Sequence, residues 1–475
     1  MTAIPTFEDW MKLTMKNIIL KTILLSFSLF LMLACEGKKD DYTYFGGKII
    51  NPKSDNVVLY YQEKPIDTLY LDSNNMFMGS FTDMKEGLYY FIHGIENQYM
   101  YLEPKDSLMI RLNSWDFDES LVFAGKGADR NNMLIDCFLA YEKERSFFYD
   151  TYTKNPQEFK NQVDSLLKTK MTTYENFVLN YPEETEGYKQ ILKIALTYPT
   201  FGRIERYPIA HVKAHKKDEF PEIDKAFYEF RGEVAHNHSD LMYYPPYSNY
   251  VRNYLYNQTY ALGHKPMHDH YSSKFTNDLL QTISNNIECE TTRNAFLKQT
   301  VISHFFNKSS CELNQDTFDT FLSLTSNDND KKLINNLLSD TKSVHENKKL
   351  APFKVTDYNG VSHNINKVIK GKNSFLFFWN PEYVSESYIT SRIKYLTKNY
   401  PEVQFIEIKM NGESKNHIRA MDIKHQFYLN QESAAHAFLT SKLPRAIVVD
   451  KKGNVKNCYA SISSNNVKPY LANLQ

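Results

Sequence analysis

The stretch Ser374–Tyr388, SFLFFWNPEYVSESY, decides how this chain is read. With Asn373 it opens on NSFLFFW, a run that is apolar at nearly every position. Successive strand residues face opposite sides, so such a run belongs to a strand covered on both faces. Asn380-Pro381 then opens a loop, and VSESYITSRIKYLTKNY carries apolar residues at helical spacing. The segment is therefore a strand, a loop and a helix in succession. No cysteine lies in it, and none occurs between Cys311 and Cys458.

On either side the pattern remains α/β. PFKVTDYNGVSHNI reads as a strand, an Asn359-Gly360 turn and a second strand. VQFIEIKM predicts a strand and SKNHIRAMDI a helix. KLPRAIVVDKKGNVKNCYAS predicts two antiparallel strands around the Lys451–Asn454 turn, and NNVKPYLANL a closing helix.

APFKVTDYNGVSHNI, GKNSFLFFWN and LPRAIVVDKKGNV fall in the order and spacing of a known family. Residues 346–475 resemble the thioredoxin-like domain of extracytoplasmic thiol-disulfide oxidoreductases of the TlpA/ResA type. In that family the loop after Phe-Trp holds Cys-x-x-Cys, the first cysteine four residues past the tryptophan. Counted from Trp379, those positions are Tyr383, Val384, Ser385 and Glu386. Exchange needs a thiolate to attack and a second thiol to resolve the mixed disulfide. A phenol and a carboxylate do neither, so the resemblance is to a degenerate member with no catalytic residue at this loop. Leu443-Pro444 matches the family's cis-proline corner, which with Trp379 implies a groove for a peptide. Cys458 reads as a buried strand thiol without a resolving partner.

The rest of the chain divides by period. Residues 43–127 hold six short runs, NVVLYYQ, PIDTLYLD, MFMGSF, GLYYFIHG, YMYLEP and SLMIRLN, separated by turn formers. They predict an antiparallel β-sandwich or meander. From 128 to 345 the spacing is helical and the region is read as all-helical. Asn155 is placed as an N-cap before Pro156, with Phe159, Val163, Leu166, Leu167, Met171, Tyr174 and Phe177 on one stripe. The chain is thus expected to be a multidomain α+β protein ending in an α/β thioredoxin-like domain. His211, His215, His236, His238, His264, His268 and His270 crowd the middle, yet lack the spacing of a metal site. Neither a metal nor a cofactor is expected.

Lys16 and Lys21 flank the start of TILLSFSLFLMLA, Thr22–Ala34. As a helix it would span only about 20 Å, short of a ~30 Å hydrocarbon core. It reads as a signal segment, residues 1–35, starting at Met1 or Met15. LMLAC resembles a lipoprotein box, which implies acylation of Cys35, a tether over 36–42, and an outer-membrane address facing the periplasm or the cell surface. The 56 Lys+Arg balance 56 Asp+Glu, so no nucleic-acid partner is expected. Cys289 and Cys311 bracket a helix about 24 Å long, so no structural disulfide is expected and the thiols are read as inert. The reading that follows is an envelope-anchored module that binds a protein or peptide. An oxidoreductase of atypical mechanism and an accessory subunit of outer-membrane nutrient uptake stand as alternatives.

Overall fold

The computed structural model describes residues 42–234, 238–308, 310, 313–411, 421 and 423–474. The signal segment, Cys35, the tether before Tyr42, His236, Cys311 and most of the helix expected at 414–423 lie outside them. The chain mixes α and β structure in two compact units. One takes residues up to 143 together with 174–195, the other 144–173 and 196–475.

The first unit holds eight strands: β1 (Thr43–Ile50), β2 (Asn56–Tyr61), β3 (Lys64–Tyr70), β4 (Met76–Phe81), β5 (Gly87–His93), β6 (Glu96–Leu102), β7 (Ser107–Asn113) and β8 (Val122–Lys126). They form two sheets, ordered β4-β1-β7-β8 and β3-β2-β5-β6. Phe45, Ile49, Leu108 and Ile110 of one sheet and Val57, Leu59, Phe91 and Met100 of the other share a single core. The expectation of a wholly antiparallel arrangement is corrected at the centre, where β1 runs parallel to β7 with Phe45 opposite Leu108. The five strands between them in sequence build the second sheet or return to the first, a crossover that leaves β1 and β7 pointing the same way. Gly47 permits that pairing, since a Cβ there would run into the Ile110 carbonyl.

Arg130, on helix α1 (Ala128–Thr151), fastens the helix to this sandwich. It is 5 % exposed. Its Nη1 lies 2.6 Å from Glu103 and 3.5 Å from Asp106, and its Nε 3.1 Å from Glu184. Beside it Asn131 imitates a strand neighbour, accepting from the Tyr101 N–H at 2.6 Å and donating to the Tyr101 carbonyl at 2.9 Å.

In the second unit, Asn155 Oδ1 accepts from the Glu158 N–H at 2.9 Å, capping α2 (Pro156–Asn180). Phe159 packs on Tyr207 of α3 (Glu186–His215), ring centroids 4.1 Å apart. Helices α4 (Pro245–Tyr260), α5 (Ser273–Asn286), α6 (Glu290–Lys308), α7 (Gln315–Leu324) and α8 (Asp328–Lys342) follow. The histidines disperse among local partners, His264 on Asp278 at 2.7 Å and His270 on the Tyr260 hydroxyl at 2.7 Å. Among the described residues no three His, Cys, Asp or Glu side chains gather as metal ligands would. Among them also, no helix is long and apolar enough to cross a membrane.

The chain ends in a seven-stranded sheet of β9 (Lys354–Thr356), β10 (Ser362–Asn364), β11 (Asn373–Trp379), β12 (Val403–Lys409), β13 (Gln426–Tyr428), β14 (Arg445–Val449) and β15 (Val455–Ala460), ordered β10-β9-β13-β12-β11-β14-β15. Short α9 (Ile365–Val368) precedes β11, α10 (Glu386–Asn399) joins β11 to the parallel β12, and α11 (Val467–Ala472) closes the chain. All seven residues of β11 are buried. Leu376 and Phe378 enter one core, Phe375, Phe377 and Trp379 the other.

Replacing Arg130 with Met should strand three buried or half-buried carboxylates and destabilise the first unit by about 3–5 kcal/mol. A lower urea midpoint at unchanged slope would register it. The loss should shrink at acid pH, where those carboxyls take up protons.

Candidate functional site

At the C-terminal end of β11, Phe378 pairs with Arg445 of the antiparallel β14. That register sets the loop after Trp379 beside the Leu443-Pro444 corner. Asn380 shapes the loop: its carbonyl accepts from the N–H groups of Tyr383 (3.0 Å) and Val384 (3.2 Å), and its Oδ1 from that of Glu382 (3.2 Å). Ser385 caps α10, its Oγ accepting from the Tyr388 N–H at 3.4 Å. Val384 turns onto the core beneath α10, while Tyr383 and Tyr388 are each 44 % exposed. Partial burial and Glu382 raise the Tyr383 hydroxyl pKa, against the pull of Lys298 on α6. The tetrad thus offers a phenol, an isopropyl group, a hydroxyl and a carboxylate at a helix N-terminus.

The expected peptide groove is corrected in three respects. The Leu443–Pro444 bond is trans. Trp379 is 1 % exposed and Leu443 4 %, so neither side chain lines a surface. The corner is instead bound to α8: Asp340 accepts from the Thr440 N–H at 2.8 Å, the Thr440 hydroxyl at 2.6 Å and the Ser441 N–H at 2.9 Å. Those bonds supply the turn's shape, so the loop and the outer face of α10 are what remains open.

The sequence reading passed over Glu407, the one acid in VQFIEIKM. A carboxyl flanked on both sides by isoleucine, at Ile406 and Ile408, was the available signal. Glu407 sits opposite Phe377 and Gln426 on the sheet face covered by α10. It is 1 % exposed, and among the described residues neither carboxyl oxygen has a hydrogen-bond partner. Burial first, and the Glu386 carboxylate second, push its pKa up to about 8. Lys409 follows on the same face, its ammonium 5.6 Å from the Trp379 ring centre. A protonated acid therefore lies within electrostatic reach of Glu386, the last tetrad position.

Cys458, on β15, is 1 % exposed and disulfide-bonded, its partner outside the described residues. This overturns the expectation of inert thiols throughout. The helix-length argument excluded only the pair Cys289 and Cys311 and said nothing of Cys458. Cys137 and Cys289 form no disulfide.

No family model matches the sequence, and no curated protein matches it. Solved structures do. A candidate thiol-disulfide oxidoreductase of Bacteroides vulgatus shares 19 % identity over 28 % of this chain and 99 % of its own, with a TM-score of 0.25. A candidate thiol:disulfide interchange protein of Chlorobium tepidum shares 12 % over 28 % and 99 %, TM-score 0.24. The C-terminal domain of a candidate oxidoreductase of Bacteroides thetaiotaomicron shares 18 % over 27 % and 95 %, TM-score 0.23. What identifies the fold is the strand order itself. The parallel β11-α10-β12 unit, with the antiparallel β14–β15 pair on the other side of β11, is the thioredoxin-like arrangement.

Two outcomes follow. The folded Glu407 carboxyl binds its proton more tightly than an unfolded one, so its contribution to stability is greatest below pH 4.5 and is lost as pH rises through about 8. Glu407→Gln should therefore flatten that decline and raise the melting temperature most at pH 8. Peptide mapping without reductant should recover Cys458 in a cross-linked pair, and reduction should lower the melting temperature.

Proposed function

We propose that this protein is an envelope-tethered binding or scaffolding module. Its thioredoxin-like domain recruits a protein or peptide without exchanging disulfides. The observation that carries the reading is the tetrad Tyr383–Glu386, which sits where the fold mounts its attacking and resolving thiols and supplies neither. Thiol–disulfide exchange passes through a mixed disulfide, and a tetrad without sulfur has no atom to form one. Recognition needs only an accessible, well-held surface. Tyr383 and Tyr388 supply amphipathic rings of the kind that anchor interfaces, on a turn fixed by Asn380. Acylation of Cys35 would hold the module at the outer membrane.

The disulfide at Cys458 is the one observation that favours an oxidoreductase instead. Its sulfur is buried in the core of the sheet, which shields it from an attacking thiolate.

Insulin reduction by dithiothreitol should proceed no faster with the protein than without it. An envelope protein should co-purify with the wild type and be lost from Tyr383→Ala/Tyr388→Ala. Turnover of insulin that disappears in Cys458→Ser would replace this reading with the redox one. Retention of every co-purifying protein by the double variant would refute the loop as the docking surface.

A further inference from the structure

The opposite end of the C-terminal sheet carries a feature that the loop does not explain. Where β11 and β12 begin, the C-terminal half of α10 and the segment before β13 wall a cleft of about 1110 Å³. Lys372, Lys394, Lys398, Lys424, Lys451 and His425 line it, against a single acid, Glu402. Of these, Lys372, Lys398, Lys424 and Lys451 make no ion pair among the described residues. A second hollow of about 470 Å³ shares Gly371 and Lys451 with the first and adds Lys349, Lys370 and Lys452.

The chain as a whole is neutral, so a one-sign concentration of this kind is local. Surface lysines are ordinarily interspersed with acids, and like charges crowded into a concave wall repel one another more strongly than on a convex one. The wall is also fixed rather than draped. Asn373, 4 % exposed, accepts from the Lys451 N–H at 2.9 Å and donates to the Leu474 carbonyl. Ile393, Phe405 and Ile423 form an apolar floor between the ammonium groups. Gln404, which also lines the cleft, keeps a buried amide oxygen without a donor among the described residues. Burial, with Lys424 and Lys372 adding to it, holds the His425 imidazole below its usual pKa, so it faces the cleft neutral at pH 7.

We propose that this cleft binds a multiply charged organic anion, its phosphate or carboxylate groups on the lysines and its carbon body on the apolar floor. The volume suits a ligand of metabolite or headgroup size. The same chemistry is offered by a soluble polyphosphorylated compound and by the headgroup of an anionic amphiphile.

Calorimetry on the full chain at 150 mM NaCl separates the sources, with inositol hexakisphosphate as the soluble probe and vesicles containing cardiolipin, whose headgroup carries two phosphates, as the other. Binding to the first assigns a soluble anion, and binding to vesicles alone assigns a headgroup. In either arm Lys372→Ala/Lys424→Ala should weaken binding roughly tenfold, with affinity falling as salt rises. Lys372→Arg/Lys424→Arg should retain it, and Lys64→Ala on β3 should leave it unchanged. No binding in either arm, or binding indifferent to the alanine pair, overturns the proposal.

Discussion

A charge that never meets water holds the C-terminal region together. The Arg445 guanidinium is fully buried at the start of β14. Its Nε and Nη2 donate to the Cys458 carbonyl at 2.8 and 2.6 Å, and its Nη1 to the carbonyls of Phe438 at 2.6 Å and Asp340 at 3.0 Å. The rings of Phe438 and Tyr459 flank it. Burial lowers its pKa to about 10, so it stays cationic at neutral pH. An unpaired ion in such a place would cost several kcal/mol. Here the fork of donors meets carbonyls from β15, from the 3-10 turn Ala434–Phe438 and from α8, which one lysine ammonium would not span. These elements are thereby obliged to fold as one, with the corner before β14 held against α8.

That obligation explains how the tetrad loop keeps its shape without sulfur. The strand pairing, the Asn380 turn and the Ser385 cap are backbone and packing features, and none depends on what side chain stands at 383 or 386. Substitution at those positions would leave the platform standing. Glu407 below, without a hydrogen-bond partner among the described residues, is different in kind, since a buried acid with no hydrogen bond weakens the sheet that contains it. Its carboxyl beneath α10 makes the neighbourhood of Glu386 chemically distinct from the apolar layers on either side.

How much of this was legible in the sequence depended on whether the cause was local. NSFLFFW announced a central strand because every side chain had to leave water, whichever face it took. Asn155-Pro156 announced the start of α2 because capping and the fixed φ of proline act within one turn. β1 escaped notice, since Gly46-Gly47 interrupts its apolar pattern and its partner β7 lies some sixty residues on. The same holds at Leu443-Pro444-Arg445. Nothing nearby reveals that the arginine is buried, because the carbonyls that satisfy it come from as far away as Asp340. The Cys458 disulfide was missed for the same reason, and Glu407 because a strand's alternation does not reveal whether a helix covers the polar face.

The placement of tryptophan gives the molecule an optical consequence. Of the three tryptophans Trp10 lies outside the described residues; Trp115 belongs to the first compact unit and is 74 % exposed, whereas Trp379 belongs to the second and is 1 % exposed. One indole emits from bulk solvent already, so unfolding changes its colour little. The other emits from an apolar layer, with the Lys409 ammonium over its ring, and shifts to the red when that layer opens. Between these two indoles, a red shift is therefore a selective gauge of the sheet that bears the tetrad.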